Sequence, residues 1–290
     1  MSAQVQPTIV VGIDGSRDGL LALDWAADLA ARRHWAVRAV HVADDDRPGQ
    51  PLVAVPHLED SAEVLEDAAD ELARIGFTGA SLEIRHGHAA EVLLDLARIA
   101  RLLVIGRRGG GGFAELTLGS ISQVCTALAR TSTVVVPDHW SRDDGDSGMV
   151  VVGVDGSDAC QAALGFAFEF ADERGSELTI VHVPRAPQDF PPPGVWIDPE
   201  DTPWYHDARQ LITESLAGWP EKYPDVEFHT HYRPGHPVQV LAQHSKAADL
   251  VVVGGVGRAK FTALRLGSVS RGLLHHTQCP VAIVHTDSPG

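Results

Sequence analysis

The sequence predicts an α/β protein built as two tandem open, doubly wound parallel-sheet domains. Three observations predict it: a long internal repeat, apolar strands that alternate with helical stripes, and a glycine constellation recurring at identical spacing. The chain has 290 residues, a length suited to about two domains. Ile9-Val10-Val11-Gly12-Ile13-Asp14-Gly15-Ser16 recurs as Val150-Val151-Val152-Gly153-Val154-Asp155-Gly156-Ser157, and Val40-His41-Val42 recurs as Val181-His182-Val183. Further on, Gly87-His88 matches Gly235-His236, and Leu118-Gly119-Ser120 matches Leu266-Gly267-Ser268. The offset grows from 141 to 148 between these pairs, so the second copy holds about seven extra residues. The Pro- and Trp-rich stretch Asp189–Trp204 is the natural place for them. The polar run Asp138–Gly148 reads as a linker, giving domains at 1–140 and 149–290 joined by 141–148.

Within the first copy, Thr8–Ile13, Val37–Val42, Ser81–Arg85, Leu102–Gly106 and Thr133–Val136 read as strands. Strands such as Val150–Val154 and Leu250–Val253 are apolar throughout, as burial on both faces of a parallel sheet requires. Between strands lie stripes at helical spacing: Leu23, Ala26, Ala27 and Ala30; Leu65, Ala68, Ala69 and Leu72; Ile121, Val124, Cys125 and Leu128. In the second copy Leu164, Ala167, Phe168 and Ala171, and then Val269, Gly272, Leu273 and His276, repeat the pattern. Each stripe is expected to face the core.

Composition narrows the function. A net charge of −16 argues against nucleic acid or an anionic membrane as the main partner. No run approaches the roughly 18 apolar residues of a membrane span. Met1–Pro7 lacks the basic and apolar regions of a secretory signal, so a cytoplasmic location is expected. The three cysteines, Cys125, Cys160 and Cys279, form no C-x-x-C pair and read as small buried hydrophobes. His86/His88 and His229/His231 are spaced to share a strand face, but without neighbouring Cys or paired carboxylates they do not make a metal set.

The chemistry concentrates after the fourth strand. Gly106-Arg107-Arg108-Gly109, nine residues, then Gly119-Ser120 is matched by Gly254-Gly255-Val256-Gly257, nine residues, then Gly267-Ser268. The first two glycines let the backbone turn and approach a ligand without a Cβ in the way. The third glycine and its serine precede a helical stripe, which sets free backbone amides and a hydroxyl at a helix N-terminus, an anion site. Ligands of open doubly wound sheets bind beyond the carboxyl ends of strands where the winding reverses. If the first and fourth strands are neighbours, Asp14 and Asp155 face the same crevice as the loops. There an acidic group accepts bonds from ribose hydroxyls or joins a metal shell. A P-loop is excluded, because none of the three lysines (Lys222, Lys246 and Lys260) sits in a Gly-Lys-Ser/Thr setting.

This pattern, G-x-x-G, nine residues, G-S/T with a strand-end Asp, resembles the universal stress protein family in its ATP-binding branch, and the resemblance covers nearly the whole chain twice. Tandem members of this kind are typical of mycobacteria. The resemblance implies strand order 3-2-1-4-5 and one ATP site per copy, two per chain, with or without Mg²⁺. It implies that Asp14 and Asp155 lie near the ribose or base edge and that Val42 and Val183 contact adenine. Gly106, Gly109, Gly119, Ser120 and Ile121 would wrap ribose and phosphates in the first copy, and Gly254, Gly257, Gly267, Ser268 and Val269 in the second. It further implies a homodimer, an unidentified regulatory protein partner, and a nucleotide-dependent regulator or sensor of stress or dormancy rather than an enzyme. A slow ATPase or self-phosphorylating protein, and an interaction scaffold with vestigial loops, are the alternatives. Two departures from the family pattern stand out. Arg101 replaces the acidic residue that opens the fourth strand, where the second copy keeps Asp249, and the first loop runs Gly109-Gly110-Gly111-Gly112.

Overall fold

The structure is a computed structural model and describes residues 6–43, 56–109, 118–141, 148–184, 202–256 and 266–286. Most of the linker reading, residues 142–147, and most of the insertion, residues 185–201 with Trp196, lie outside the described residues. The chain divides into two compact units that change over around residues 143–144.

In the first unit β1 (Thr8–Ile13), α1 (Arg17–Arg33), β2 (Ala36–Ala43), α2 (Pro56–Arg74) and β3 (Ala80–His86) form one half. The other half is α3 (Ala89–Ala97), β4 (Leu102–Gly106), α4 (Ser120–Leu128) and β5 (Thr133–Val136). All pairings are parallel and the order is β3-β2-β1-β4-β5, so winding reverses between β1 and β4. The second unit runs β6 (Met149–Val154), α5 (Asp158–Arg174), β7 (Glu177–His182), α6 (Pro203–Ser215), α7 (Trp219–Lys222) and β8 (Phe228–Tyr232). It continues with α8 (Pro237–His244), β9 (Leu250–Gly254), α9 (Ser268–His276) and β10 (Val281–Val284), in order β8-β7-β6-β9-β10. Both units therefore have the 3-2-1-4-5 order.

The central strands are apolar because helices cover both faces. Ile9, Val10, Val11 and Leu103 in the first unit, and Val150–Val152 with Leu250–Val252 in the second, are shut off from solvent. The stripes on α1 and α5 face inward as expected: Leu23, Ala26, Leu164, Ala167 and Phe168 have no exposure. Other stripes need correction. On α2, Ala68 and Leu72 are buried, but Ala69 is exposed and Leu65 half-buried. On α4 the inward face is Ser122, Cys125, Thr126 and Ala129, and the expected Ile121, Val124 and Leu128 point outward at 36%, 38% and 48% exposure. In α9 His276 is likewise exposed, and Ser270, Leu273 and Leu274 are buried. The polar residues take the inward face because their hydroxyls bond main-chain carbonyls there: Ser122 Oγ donates to Gly106 O at 2.7 Å and Thr126 Oγ1 to Ser122 O at 2.6 Å.

All three cysteines are buried, and burial pushes the Cys125 thiol up to about 12. Asp249, which keeps the family's acid, is buried and accepts from the Gly148 amide at 3.1 Å, pinning the entry to β6. The tryptophans at the insertion divide. Trp219 stacks on Phe168 and Tyr223 in a satellite core, with Lys222 over its ring, and Trp204 lies in α6 against Tyr205. No described helix is long and apolar enough to cross a membrane.

Two predictions follow from this packing. A Cβ on Gly106 would lie 2.7 Å from the Asp18 main chain, and one on Gly254 would lie 2.8–2.9 Å from Ala159, so neither tolerates a side chain without moving a helix. Gly106→Ala and Gly254→Ala should each lower unfolding free energy by about 1–3 kcal/mol in urea titrations, the usual cost of overpacking. A cost near zero would show that strand and helix are free to separate.

The second concerns β2 and β3. Arg38 grips Glu83 with two bonds, at 2.8 and 3.0 Å, and Arg85 adds two more, at 3.1 and 2.6 Å. The Arg38 hydrogen bond, against some burial, and the Arg85 contacts pull the Glu83 carboxyl down to about 2 from 4.5. A carboxyl depressed on folding stabilises above its unfolded value and loses that stabilisation as pH falls through the folded one. Glu83→Gln should therefore cost up to about 1 kcal/mol at pH 7, because the pair is partly solvated. The gap to the parent protein should close between pH 4.5 and 2 in unfolding titrations. A gap independent of pH would mean that the loss is one of packing.

Candidate nucleotide site

The site of the first unit begins with a turn. Asp14 directly follows β1, and Gly15 takes a left-handed φ of 75°. Asp14 Oδ1 then accepts from the Ser16 amide at 3.1 Å and its hydroxyl at 2.5 Å. Ser16 in turn caps α1 by accepting from Gly19 N at 3.1 Å. The second unit repeats this with Asp155, Gly156 and Ser157, which caps α5 through Cys160 N. One oxygen of each aspartate thus serves a helix cap, a role the sequence reading did not assign. The other oxygen of Asp14 lies on the loop side: a Cβ on Gly109 would come within 2.4 Å of Oδ2. Asp14 and the glycine loop do face one crevice, because β1 and β4 are paired neighbours.

The loop is closed at its base by main-chain bonds. Arg107 N donates to Val136 O at 2.8 Å, and Gly119 N returns to Arg107 O at 2.9 Å. The second unit has Gly255 N to Val284 O at 2.8 Å and Gly267 N to Gly255 O at 2.6 Å. This corrects the expectation for the third glycine: its amide closes the loop and is not offered to an anion. Gly119 and Gly267 are N-caps without a side-chain cap bond, so Ser120 and Ser268 are first helical residues, not caps. The first intrahelical bond of α4 is Gln123 N to Gly119 O at 3.0 Å, which leaves the amides of Ser120, Ile121 and Ser122 directed out of the helix N-terminus. Ser122 and Ser270 tie each helix to the end of its strand through Gly106 O and Gly254 O, both at 2.7 Å. The sequence signal for them was present, since Gly-Ser-x-Ser occurs in both copies.

These elements enclose a cavity of about 280 Å³ in the first unit, near the lower end of the roughly 300–1,000 Å³ of small-molecule pockets. Every residue predicted for the first site lines it: Asp14, Val42, Gly106, Gly109, Gly119, Ser120 and Ile121. Its floor is apolar, from Ile13, Val40, Leu93 and Ile105, and its mouth carries Arg108. His41 stands behind Val42, its Nδ1 3.2 Å from Ile13 O, and His182 sits likewise, 2.7 Å from Val154 O. In the second unit Asp155, Val183, Gly254, Gly267, Ser268 and Val269 are placed on the matching elements, and Gly257 lies outside the described residues.

Sequence reasoning missed a charged cluster. Asp18, in the first turn of α1, is 6% exposed and accepts from the Arg108 amide at 2.9 Å. The Arg108 guanidinium bonds Asp138 and stands 3.9 Å from Asp18, and His139 Nδ1 lies 3.0 Å from Asp138. Burial pushes the Asp18 carboxyl up, only partly offset by the Arg108 amide. Burial also works against the Asp138 carboxylate, but the His139 bond and the charges of Arg108 and Arg107 outweigh it and hold it below the usual range. Among the described residues no group of three or more His, Cys, Asp or Glu side chains is arranged to hold a metal ion.

Comparison with known proteins agrees with this architecture. The profile of the universal stress protein family matches residues 7–137 and again 148–285. A universal stress protein of Mycolicibacterium smegmatis is 34% identical over 287 residues, covering 95% of this chain and 96% of that protein. One from Mycobacterium tuberculosis is 32% identical over 314 residues, covering 98% and 96%. The crystal structure of a universal stress protein from Archaeoglobus fulgidus superposes with a TM-score of 0.69 at 19% identity, covering 96% of both chains, a likeness of fold. With two family matches spanning nearly its whole length, the chain belongs to the universal stress protein family.

Proposed function

We propose that this protein binds one adenine nucleotide in each unit and acts as a nucleotide-dependent regulator in stress response, without being an enzyme. The observation that carries this reading is the convergence of Asp14, Gly109 and the N-terminus of α4 on one cavity with an apolar floor. A purine suits that floor. The amides of Ser120 and Ile121 suit phosphate oxygens, and Arg108 at the mouth supplies positive charge. Any accompanying Mg²⁺ would be held chiefly by the phosphates. ATP is the ligand this reading favours over ADP or a cyclic nucleotide, because the amides at the start of α4 together with the Arg108 guanidinium offer more donors than one phosphate needs. We place the protein in the cytoplasm, as a homodimer that passes its ligand state to a regulatory protein partner.

Mass analysis of nucleotide released from the purified, denatured protein tests the ligand, and calorimetry on stripped protein tests the number. ATP at close to two per chain is the expected result; a stoichiometry near one would make one unit degenerate. Gly119→Glu and Gly267→Glu together set a carboxylate at the start of both helices and should abolish retention while circular dichroism stays native. A folded double variant that keeps its ATP would place the nucleotide elsewhere.

The alternative of a slow ATPase draws on one observation, the exposed Ser120 at the cavity wall. Backbone cradles hold polyphosphate but do not position water or neutralise charge developing in transfer. Hydrolysis is expected far below the ~1 s⁻¹ lower end of common turnover numbers. A faster Mg²⁺-dependent rate, lost in the Ser120→Ala, Ser268→Ala double variant, would replace the binding reading with an enzymatic one.

A further inference from the structure

The charged cluster behind the first loop has no counterpart at the matching positions of the second unit. Ala159 stands where the first unit has Asp18, Val256 where it has Arg108, and Thr286 where it has Asp138. The backbone around these positions is the same in both units: each loop is closed by the same pair of main-chain bonds, and each fourth strand abuts the same turn of helix. The cluster is therefore not needed to build the fold. Its most deeply placed member, Asp18, is an acid only 6% exposed, and it accepts from the amide of the loop residue Arg108. Burying an acid is costly and adds nothing to a loop that the second unit closes without one. What the cluster does is hold one guanidinium, 35% exposed, at the mouth of the cavity beside Gly109 and Ser120.

We infer that Arg108 is the residue by which the first site discriminates nucleotides by phosphate number, and that Asp18 and Asp138 are positioning residues that aim it. This rests on the nucleotide-binding reading above and assigns a division of labour within it. A guanidinium offers a planar, doubly donating face to phosphate that a backbone amide cannot. Asp18 fixes the Arg108 main chain through its amide, and Asp138 bonds the guanidinium itself. Because the Asp138 carboxylate is itself about one-third exposed, its pair with Arg108 is solvated enough to exchange for a more highly charged phosphate. The first site therefore takes a nucleoside polyphosphate by charge as well as by shape. In the second, the three matching positions contribute no charge.

The test uses the full chain with Gly267→Glu, so that the first site alone is read, and compares ATP with adenosine by calorimetry. Arg108→Val, the residue the second unit carries, should lower ATP affinity by about tenfold or more, the worth of a charge-assisted bond. Adenosine affinity should be unchanged, and the salt dependence of ATP binding should flatten. Asp18→Ala should reproduce part of that ATP-selective loss, and Asp18→Asn, which keeps an acceptor for the Arg108 amide, should restore it. An ATP-to-adenosine ratio unaltered by Arg108→Val overturns the inference and leaves the nucleotide reading intact. An equal loss of both ligands in Asp18→Ala reduces Asp18 to a structural role and also overturns it. If the Gly267→Glu chain binds neither ligand while folded, the nucleotide reading fails for this unit, and the inference fails with it.

Discussion

Each unit depends on one contact: the glycine that ends its fourth strand lies flat against the first turn of the helix that follows its first strand. Neither Gly106 nor Gly254 has room for a Cβ. That closeness fixes more than packing. The helix can come so near only if it starts immediately after the first strand, and the Asp-Gly-Ser turn starts it there, with the glycine at a left-handed φ and the serine as cap. The aspartate of the same turn is then carried to the mouth of the glycine loop. The loop, pinned to the fifth strand by its second residue, leaves and returns to one point. A cleft lined by backbone amides and an acid is thus a consequence of how strand, turn and helix meet.

What could be read from the sequence follows from the same division. Strands such as Thr8–Ile13 and Leu102–Gly106 were legible because burial on both faces demands apolar residues throughout. The glycine constellation was legible because backbone that must approach other backbone excludes side chains, and absence of a side chain is visible in a sequence. The α4 face was misread for a physical reason. Counting apolar residues put Ile121, Val124 and Leu128 inside, yet Ser122 and Thr126 bond main-chain carbonyls and so claim the buried face. A hydroxyl satisfied by a carbonyl is as much a core residue as a leucine, and hydropathy does not register it. The Asp18–Arg108 pair was illegible for another reason: its members stand ninety positions apart, and only the folded sheet brings them together.

The two units differ most where side chain meets side chain. On α1, Asp24 is buried and paired with Arg74 of α2 at 3.3 Å. The matching position on α5 is Gly165, and the space it leaves is filled by the Trp219 ring, against which a Cβ would stand 2.7 Å away. Phe168 and Tyr223 stack on that ring, Phe228 stands edge-on to Phe168, and Gln161 accepts from the indole N–H at 3.2 Å. One unit therefore joins this helix to its neighbour by charge, and the other by a stack of aromatic rings over a glycine. The first solution is sensitive to salt and the second is not.

Six residues earlier on the same helix the contrast recurs, with Asp18 in one unit and Ala159 in the other. Beside these divergent positions stand features that do not vary: the Asp-Gly-Ser cap, the glycine contact, the carbonyl-to-amide closure of the loop, and the serine tying the following helix to the strand. Three of these four use main-chain atoms on at least one side, and the fourth is the absence of a side chain. A cradle made of such parts tolerates replacement of the side chains around it, because backbone donors stay in place when a neighbouring residue changes. Side chains added beside the cradle, as at Arg108, change the charge there without deciding whether the cradle exists. The two units thus set one backbone cradle in two different electrostatic surroundings.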